Sequence, residues 1–442
     1  MTTHPAPNSP ASRFSLGRLF LFGLPALPGA ALLFPLSAYL PPYYSAVTGL
    51  GLGTIGLIFM VMRFWDIAID PVIGIMSDRT RSRFGRRRPW IAASVPVLGI
   101  GVWALFFPPQ GVGAVWLAAS LMVAFIGFTL LTITHYAWAA DLSEDPHERS
   151  KLQGAIVIVG LVGTLVAMLL PAIFEVGAAD PMKARVESMG LAALILLLPC
   201  VGLALWLTPD PTAVRSPTSQ QTDLSSVRRA LANGPFRWIL AADFVQGIAG
   251  GLLLSTFIFF SARFLELPDR AGLLLLLFFV SGVAFVPLWL IVAKRLGKVR
   301  TTALASLATL PAIALYILIP KGDLAWAALV QIAFGSTLGV WIFLTRSIVA
   351  DLVDTDGGDT RPTGVYFALT TLTTKLGQAM AVGIGYVALD KLGVDPAMGT
   401  GNPSIIAAFT LIPPTLGHLF MILAMWRIGK GQSEIQELSR LD

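Results

Sequence analysis

Apolar runs of about 20 residues recur along the whole chain, and this recurrence constrains the fold more than any other feature of the sequence. An α-helix of about 20 residues crosses the ~30 Å hydrocarbon core of a bilayer. Only 13% of the 442 residues are charged, whereas soluble proteins have about 25%. The pattern predicts an all-α integral membrane protein with about twelve transmembrane helices. We call them spans 1 to 12, at residues 17–42, 50–77, 89–108, 113–140, 153–174, 188–207, 238–262, 270–293, 301–319, 324–350, 364–389 and 404–427.

Basic residues are concentrated on alternate links between the spans. Lysine and arginine are enriched in cytoplasmic loops, so this distribution predicts that both termini are cytoplasmic in a multi-pass protein of the cell (inner) membrane. The net charge of +6 then reflects membrane orientation, and we expect a lipid bilayer and no nucleic acid as partner. The clustered basic residues are Arg79, Arg81, Arg83, Arg86, Arg87, Arg88, Lys294, Arg295, Lys298, Arg300, Arg427 and Lys430.

Two short motifs occur in the same order in each half of the chain. "GRRR" begins at Gly85 and "GKVR" at Gly297, 212 residues later, while "ADLSEDPHERS" contains Asp141 and "ADLVDTDGGDTR" contains Asp351, 210 residues later. Parallel repeats of this kind are typical of secondary transporters whose site lies between the halves. The repeat predicts two six-helix bundles, and the Pro-, Ser- and Gln-rich interval between them is typical of a flexible linker. The predicted divisions are a cytoplasmic tail at 1–16, bundles at 17–207 and 238–427, a cytoplasmic linker at 208–237 and a second tail at 428–442.

Three ionisable residues lie within apolar span 2, in "RFWDIAIDP". On a helix with about 100° per residue, Arg63, Asp66 and Asp70 lie within about 60° of one another. A charged residue at the bilayer centre costs about 2.5 to 3.5 kcal/mol, so these side chains must face protein or water. Two carboxylates one turn apart favour a small cation or a shared proton, which predicts a cation site. The alternative is that Arg63 only neutralises one aspartate within the packing.

Span 11 contains a second deep charge, Lys375, about eleven residues and roughly 16 Å from its cytoplasmic end. This depth is too great for the ammonium group to reach the interface comfortably. If span 11 faces span 2, Lys375 can pair with the two aspartates in one state and yield to a cation in another. The alternative is a local pair with another carboxylate such as Asp243 on span 7.

These residues carry a family resemblance. "RFWDIAIDPVIGIMSDRTRSRFGRRRPWI" and "VADLVDTDGGDTRPTGVYFALTTLTTKLGQA" resemble the span 2 and span 10 to 11 signatures of the glycoside-pentoside-hexuronide:cation symporters, the melibiose-carrier family of the major facilitator superfamily. The resemblance implies two six-helix bundles around a central cavity, working by alternating access. It also implies that Asp66 and Asp70 are the cation-site carboxylates, Arg63 their neighbour and Lys375 the span 11 lysine.

The chain differs from the sugar carriers that it resembles. Those carriers bind sugar hydroxyls through acidic residues on helices 1 and 4 and a basic residue early in helix 5. None of these charges is present in the corresponding spans here. We therefore expect cation-coupled symport of a small organic solute, a sugar or glycoside by resemblance, with a lysolipid or other amphiphile as the alternative. Six side chains are candidates to line the substrate cavity, although packing explains each of them equally well: His135, Tyr136, Trp138, Asp243, Gln246 and Trp341.

The coupling ion is predicted to be a proton rather than sodium. Sodium needs several oxygen ligands, and sodium-using sugar carriers of the resembled family often have an asparagine just before the second aspartate. Here that position is Ile69, and the equivalent stretch of span 4 offers only Thr132 and Thr134 as possible replacements. A proton needs only a carboxylate that titrates as the cavity changes sides, and each proton carried inward gains about 2.3 kcal/mol per 100 mV.

Charged residues at the cytoplasmic helix ends are predicted to latch those ends together, although orientation and solvation explain them equally well. This cytoplasmic gate comprises Asp78, Arg79, Asp141, Arg149, Asp351 and Arg361.

An integral membrane enzyme is the alternative from another class. The four histidines are scattered along the chain, and Cys200 is the single cysteine, so no ligand spacing suggests a metal site and no disulfide is available. A channel is disfavoured because the repeat argues for two halves that rock. We expect no enzymatic activity, no cofactor and no metal, and a chain that functions as a monomer.

Overall fold

The fold was analysed in a computed structural model that describes residues 15–143, 145–174, 180–208, 224–268, 270–355, 363–394 and 400–438. Every regular element within these residues is a helix. The predicted all-α organisation is therefore confirmed.

The first six spans are helical, and span 1 is bent. Its two parts, Leu16–Gly23 and Ala26–Ala38, meet at 45°, and a short helix Leu40–Thr48 follows. Pro25 lies at the break, where its missing amide hydrogen ends the helical ladder. Spans 2 to 6 comprise Leu52–Arg79, Arg88–Phe106, Ala114–Asp141, Pro146–Phe174 and Pro181–Leu207.

The second six spans follow a similar pattern. Span 8 is bent by 42° between Ala271–Ala284 and Val286–Leu296, just before Pro287. Span 7 is Gly234–Phe259 and ends in a π-helical turn, Phe260–Phe264, while span 9 is Lys298–Leu315 and ends in a 3₁₀ turn, Tyr316–Leu318. Span 10 consists of two helices, Leu324–Gly335 and Leu338–Thr355. Span 11 is Thr363–Lys391, and span 12 is Pro403–Leu438.

Most of these helices are long and apolar enough to cross a membrane. Within the described part of the chain nine helices meet that description, or eleven when the two bent pairs are each taken as one span. Span 11 is 29 residues long but contains Lys375 and a run of threonines, so its composition is more polar than that of its neighbours. A polar helix of this length is stable in a membrane when other helices cover it.

Part of the predicted linker is helical. Residues Leu224–Ala232 form a short amphipathic helix, and span 7 begins at Gly234, a few residues earlier than predicted. Ala230 is fully buried in a core cluster of the second half, and Val227 packs against that cluster. Burial of this apolar side therefore accounts for helix in an interval whose composition favours a flexible chain.

Close glycine contacts fix spans 7 and 11 against each other beside Lys375. A Cβ atom added at Gly247 would lie 2.6 Å from the carbonyl oxygen of Thr374. A Cβ atom added at Gly377 would clash with the carbonyl oxygen of Phe244. Small residues of this kind let membrane helices approach closely, so the height of Lys375 is set by the crossing of these two helices.

The two halves meet at one end of the molecule. We call the end that carries residues 80–87 and 294–300 the basic face. At the other end the rings of Phe34 and Phe279 are 6.3 Å apart across the halves. Span 2 also packs against span 11 there, since a Cβ atom at Gly56 would lie 2.6 Å from the Cβ of Tyr386. These contacts close the end of the molecule opposite the basic face.

We expect Gly247→Val to destabilise the protein. The added side chain meets backbone that cannot move away, and such overpacking costs about 1–3 kcal/mol. Gly250→Val is the matched control, because a Cβ atom there has nothing within 4 Å and the valine has the same helix propensity. Thermal unfolding of the two purified variants should give a lower melting temperature for Gly247→Val; equal melting temperatures would contradict the packing described.

Candidate functional site

The predicted charged residues of spans 2 and 11 come together in the structure. Lys375 Nζ lies 2.5 Å from Asp70 Oδ2 and 3.2 Å from Asp66 Oδ2. The two carboxylates belong to the first half and the ammonium to the second. Lys375 is therefore a bridge between the halves as well as the counter-ion of the aspartates.

Arg63 completes the charge balance of this site. Its Nη1 lies 3.3 Å from Asp66 Oδ2, and its guanidinium carbon lies 5.0 Å from the ring centre of Phe125 on span 4. The cation–π contact holds the guanidinium against span 4. Two cations thus face two carboxylates, which is the condition for placing four charges within the membrane.

Thr129 is a member of the site that the sequence did not predict. Its hydroxyl oxygen lies 3.1 Å from Asp66 Oδ1 and 3.0 Å from Asp70 Oδ1. A hydroxyl group has one proton to donate and can also accept. Thr129 can therefore donate to one carboxylate while it accepts from the other in its protonated form, or its oxygen can join the two carboxylates around a small cation.

Thr132 and Thr134, the two possible replacements that the sequence offered on span 4, do not bond the aspartates. Their hydroxyl groups donate to Phe128 O and Leu130 O within their own helix. The rotation of span 4 about its axis decides which threonine faces span 2. That rotation is set by its contact with span 3, where Gly127 lies against Leu98.

The two carboxylates differ in accessibility. Asp66 is fully buried, while the side chains of Asp70 and Lys375 are 20% and 22% exposed. Asp70 is also one turn nearer the basic face, at the end away from the contacts between the halves. Asp70 is therefore the more accessible carboxylate of the two, and it is bonded to Lys375.

Of the three span 4 candidates for the substrate cavity, His135 and Trp138 pack against span 1. His135 Nε2 is 2.8 Å from Phe22 O, and the rings of His135 and Trp138 lie 4.8 and 5.2 Å from that of Phe22. Both side chains are buried between spans 1 and 4. Tyr136 is more exposed than either. Packing within the first half accounts for His135 and Trp138.

The other three candidates lie in the second half. Asp243 is buried, with Oδ2 3.7 Å from Arg346 Nη1 on span 10, and Trp341 is a further polar neighbour of its carboxylate. Gln246 faces span 12 instead, since its Oε1 would be 2.8 Å from a Cβ atom at Gly417. Asp243 thus pairs with Arg346 and not with Lys375, which the sequence had left as an alternative.

Sequence reasoning missed Arg346, although a signal was available. It lies nine residues before the end of span 10, so it is a basic residue about 14 Å inside a membrane helix. The same criterion identified Lys375.

Charged residues at the basic face form networks inside each half. In the first half Asp141 accepts hydrogen bonds from Arg86 at 2.8 Å and Arg87 at 3.0 Å. Arg87 also donates to Asp78 and, at 2.7 Å, to Ser77 Oγ. Arg87 thereby joins the ends of spans 2 and 4.

The remaining predicted gate residues take different places. Asp351 accepts from Lys298 at 2.6 Å in the second half, and Arg149 Nε donates to Ser143 O at 2.5 Å. Arg79 is exposed, and Arg361 lies outside the described residues. These bonds connect helix ends of the same half.

A search of the described ranges for three or more His, Cys, Asp or Glu side chains grouped as metal ligands found none. The chemistry available at the crossing of spans 2, 4 and 11 is that of two carboxylates, one hydroxyl and two fixed cations.

Comparisons with known proteins place the chain among transport proteins. The family described as MFS/sugar transport protein matches residues 21–429. The Sodium-dependent lysophosphatidylcholine symporter 1-B of Danio rerio is 22% identical over 400 residues, which cover 80% of this chain and 73% of that protein. The Putative glycoside/cation symporter YagG of Escherichia coli is 28% identical over 167 residues, 36% of each chain.

A solved structure shows the same fold. The crystal structure of nucleoside transporter NupG (D323A mutant) superposes with a TM-score of 0.66 at 13% identity, covering 93% of this chain and 99% of that one. The predicted major facilitator fold, two bundles of six helices, is therefore confirmed.

We expect Thr129→Val to weaken cation binding about tenfold, because a hydrogen bond to a charged group contributes about 1.5–3 kcal/mol. The melting temperature of the purified protein, measured against sodium concentration and against pH, reports binding without a substrate. Thr132→Val is the matched control, since its hydroxyl donates within its own helix. Identical cation dependence in the two variants would remove Thr129 from the site.

Proposed function

The chain belongs to the MFS/sugar transport protein family, and from that premise we propose that it carries a small organic solute together with a cation by alternating access. The observation that carries the proposal is the Lys375 ammonium, which bonds both Asp66 and Asp70 across the boundary between the halves. A site that both holds a cation and joins the moving parts can couple the ion to the motion.

The proposed coupling is a competition for the two carboxylates. When a cation binds Asp66 and Asp70, the ammonium of Lys375 loses its counter-ions and the bridge between the halves weakens. The halves are then free to reorient around the bound solute. Return of the empty carrier re-forms the bridge, because the free carboxylates again bind the ammonium of Lys375.

We propose a proton as the coupling ion. Ile69 contributes no side-chain oxygen, and Asp70 is accessible enough to exchange a proton with water in the cavity. Thr129 adds one oxygen to the two carboxylates. The site therefore offers sodium one more oxygen ligand than the sequence indicated. The charge carried inward would make transport sensitive to membrane potential in either case.

The solute class has two candidates. The family favours a sugar or glycoside. The alternative is a lysolipid, because spans 1 and 4 lack the acidic residues that bind sugar hydroxyls in the resembled sugar carriers. Both kinds of carrier occur among relatives, as their names state. We further propose that the chain acts as a monomer in the cell (inner) membrane, with both termini and the basic face on the cytoplasmic side.

Asp66→Asn and Asp70→Asn should each abolish gradient-driven accumulation, because the amide removes one of the two negative charges of the site and does not take up a proton near neutral pH. The measurement is uptake into proteoliposomes of whichever ligand gives the largest thermal shift in a screen of glycosides, sugar acids and lysolipids. Glu266→Gln is the matched control, an acid paired with exposed Lys321 at the other end of the molecule. Full accumulation by both aspartate variants would contradict the assignment of Asp66 and Asp70 to the cation site.

The ion prediction needs a separate experiment. We expect a pH gradient without sodium to drive uptake of that ligand, and a sodium gradient at matched pH and voltage to add little. Accumulation that occurs only with sodium would overturn the proton assignment and leave Asp66 and Asp70 as the cation site. Saturable uptake with counterflow would distinguish a carrier from a channel.

A further inference from the structure

A second charged cluster joins spans 7 and 10 in the second half of the protein. Asp243 Oδ2 and Arg346 Nη1 are 3.7 Å apart, close enough for electrostatic attraction but beyond hydrogen-bonding distance. The Asp243 side chain is only 2% exposed, whereas that of Arg346 is 34% exposed. The carboxylate is therefore buried, whereas the Arg346 side chain is partly exposed, with its Nη1 atom on the buried side.

The cluster is incompletely hydrogen-bonded. Three buried atoms, Asp243 Oδ2, Arg346 Nη1 and Trp341 Nε1, have no hydrogen-bond partner among the described residues. Buried polar groups without partners are rare in native proteins, and each calls for an explanation. Here the consequence is that Asp243 attracts the guanidinium without locking its orientation.

This cluster lies at the level of the cation site. Asp243 is nine residues from the start of span 7, and Arg346 and Asp70 are each nine residues from the ends of spans 10 and 2. All three are thus about 14 Å from the basic face. Span 7 touches span 11 at Phe244 and Gly377, next to Asp243 on one helix and two residues from Lys375 on the other.

Accessible charge at this level is mainly positive. Arg346 and Lys375 expose a third and a fifth of their side chains, whereas Asp66 and Asp243 are buried. Asp70 is the partly exposed acid, and it is engaged by Lys375. A neutral polyol needs accessible acceptors as well as donors, while an anion needs donors and positive potential, which these exposed side chains supply.

We propose that Arg346 binds an oxyanion of the transported solute, with Asp243 as the positioning residue that holds the guanidinium near the cavity. The solute is then an organic acid or a phosphate ester rather than a neutral sugar. A guanidinium matches a carboxylate or a phosphate through two parallel hydrogen bonds. This inference rests on the proposed function, because it specifies the solute of the same carrier.

Two sources supply such an oxyanion: the carboxylate of a sugar acid and the phosphate of a lysolipid. The test therefore uses two pairs of probes that differ in the acidic group. One pair is 4-nitrophenyl β-glucuronide and 4-nitrophenyl β-glucoside, and the other is a lysophosphatidic acid and the monoacylglycerol with the same chain. Dissociation constants are measured on the purified full-length protein in detergent.

We expect one acidic probe to bind at least tenfold more tightly than its neutral partner, and that pair identifies the source. Arg346→Gln should remove this preference and leave binding of the neutral probe unchanged. Arg346→Lys should retain part of it, because lysine keeps the charge but not the paired donors. Arg263→Gln is the matched control, an exposed arginine at the far end of span 7.

Three outcomes would overturn the inference. The acidic and neutral probes of both pairs bind with equal affinity, or neither acidic probe binds, or Arg346→Gln lowers the affinity for the acidic and the neutral probe equally. If Arg346→Gln does not fold, Arg346→Lys provides the test. An affinity of Arg346→Lys for the acidic probe equal to that of the parent protein would also overturn the inference. Gradient-driven uptake separates this failure from that of the proposed function. A neutral glycoside accumulated in an Asp70-dependent manner would leave the symporter standing and remove only the role of Arg346.

Discussion

The ion bridge of Lys375 with Asp66 and Asp70 is the interaction on which the rest of the structure depends. A charge within the hydrocarbon region is costly unless it is paired or hydrated, so neither the span 2 carboxylates nor the span 11 lysine is stable there alone. Their pairing at 2.5 and 3.2 Å compensates the buried charges of both helices. It does so with groups from different halves, which makes the stability of the charges depend on the relative position of the halves.

Helix packing supplies the precision that this bridge needs. Span 11 lies against span 7 through Gly247 and Gly377 and against span 2 through Gly56, each at a distance that a larger residue would not permit. Span 4 adds Thr129 and the ring of Phe125 from two successive turns. Close backbone contacts thus hold the charged side chains of the three helices within bonding distance of one another.

The charged networks differ in what they connect. At the basic face, Arg87 with Asp141 and Lys298 with Asp351 bind helix ends of the same half. At the level of Asp70, the Lys375 bridge joins the halves, and Arg346 with Asp243 remains loosely paired within the second half. The ion pairs at the basic face thus stay within one half, whereas the Lys375 pair nearer the centre of the bundles connects the two halves.

The sequence by itself determined the membrane-spanning helices, the two-fold repeat and the charged residues of spans 2 and 11, because hydrophobicity, spacing and the cost of burying charge are all properties of local sequence. Only the tertiary structure decided which side chains meet. Thr129 rather than Thr132 or Thr134 faces the aspartates, and Asp243 pairs with Arg346 rather than Lys375. Those outcomes depend on how far each helix is rotated about its axis, and that rotation is set by contacts with neighbouring helices distant in the chain.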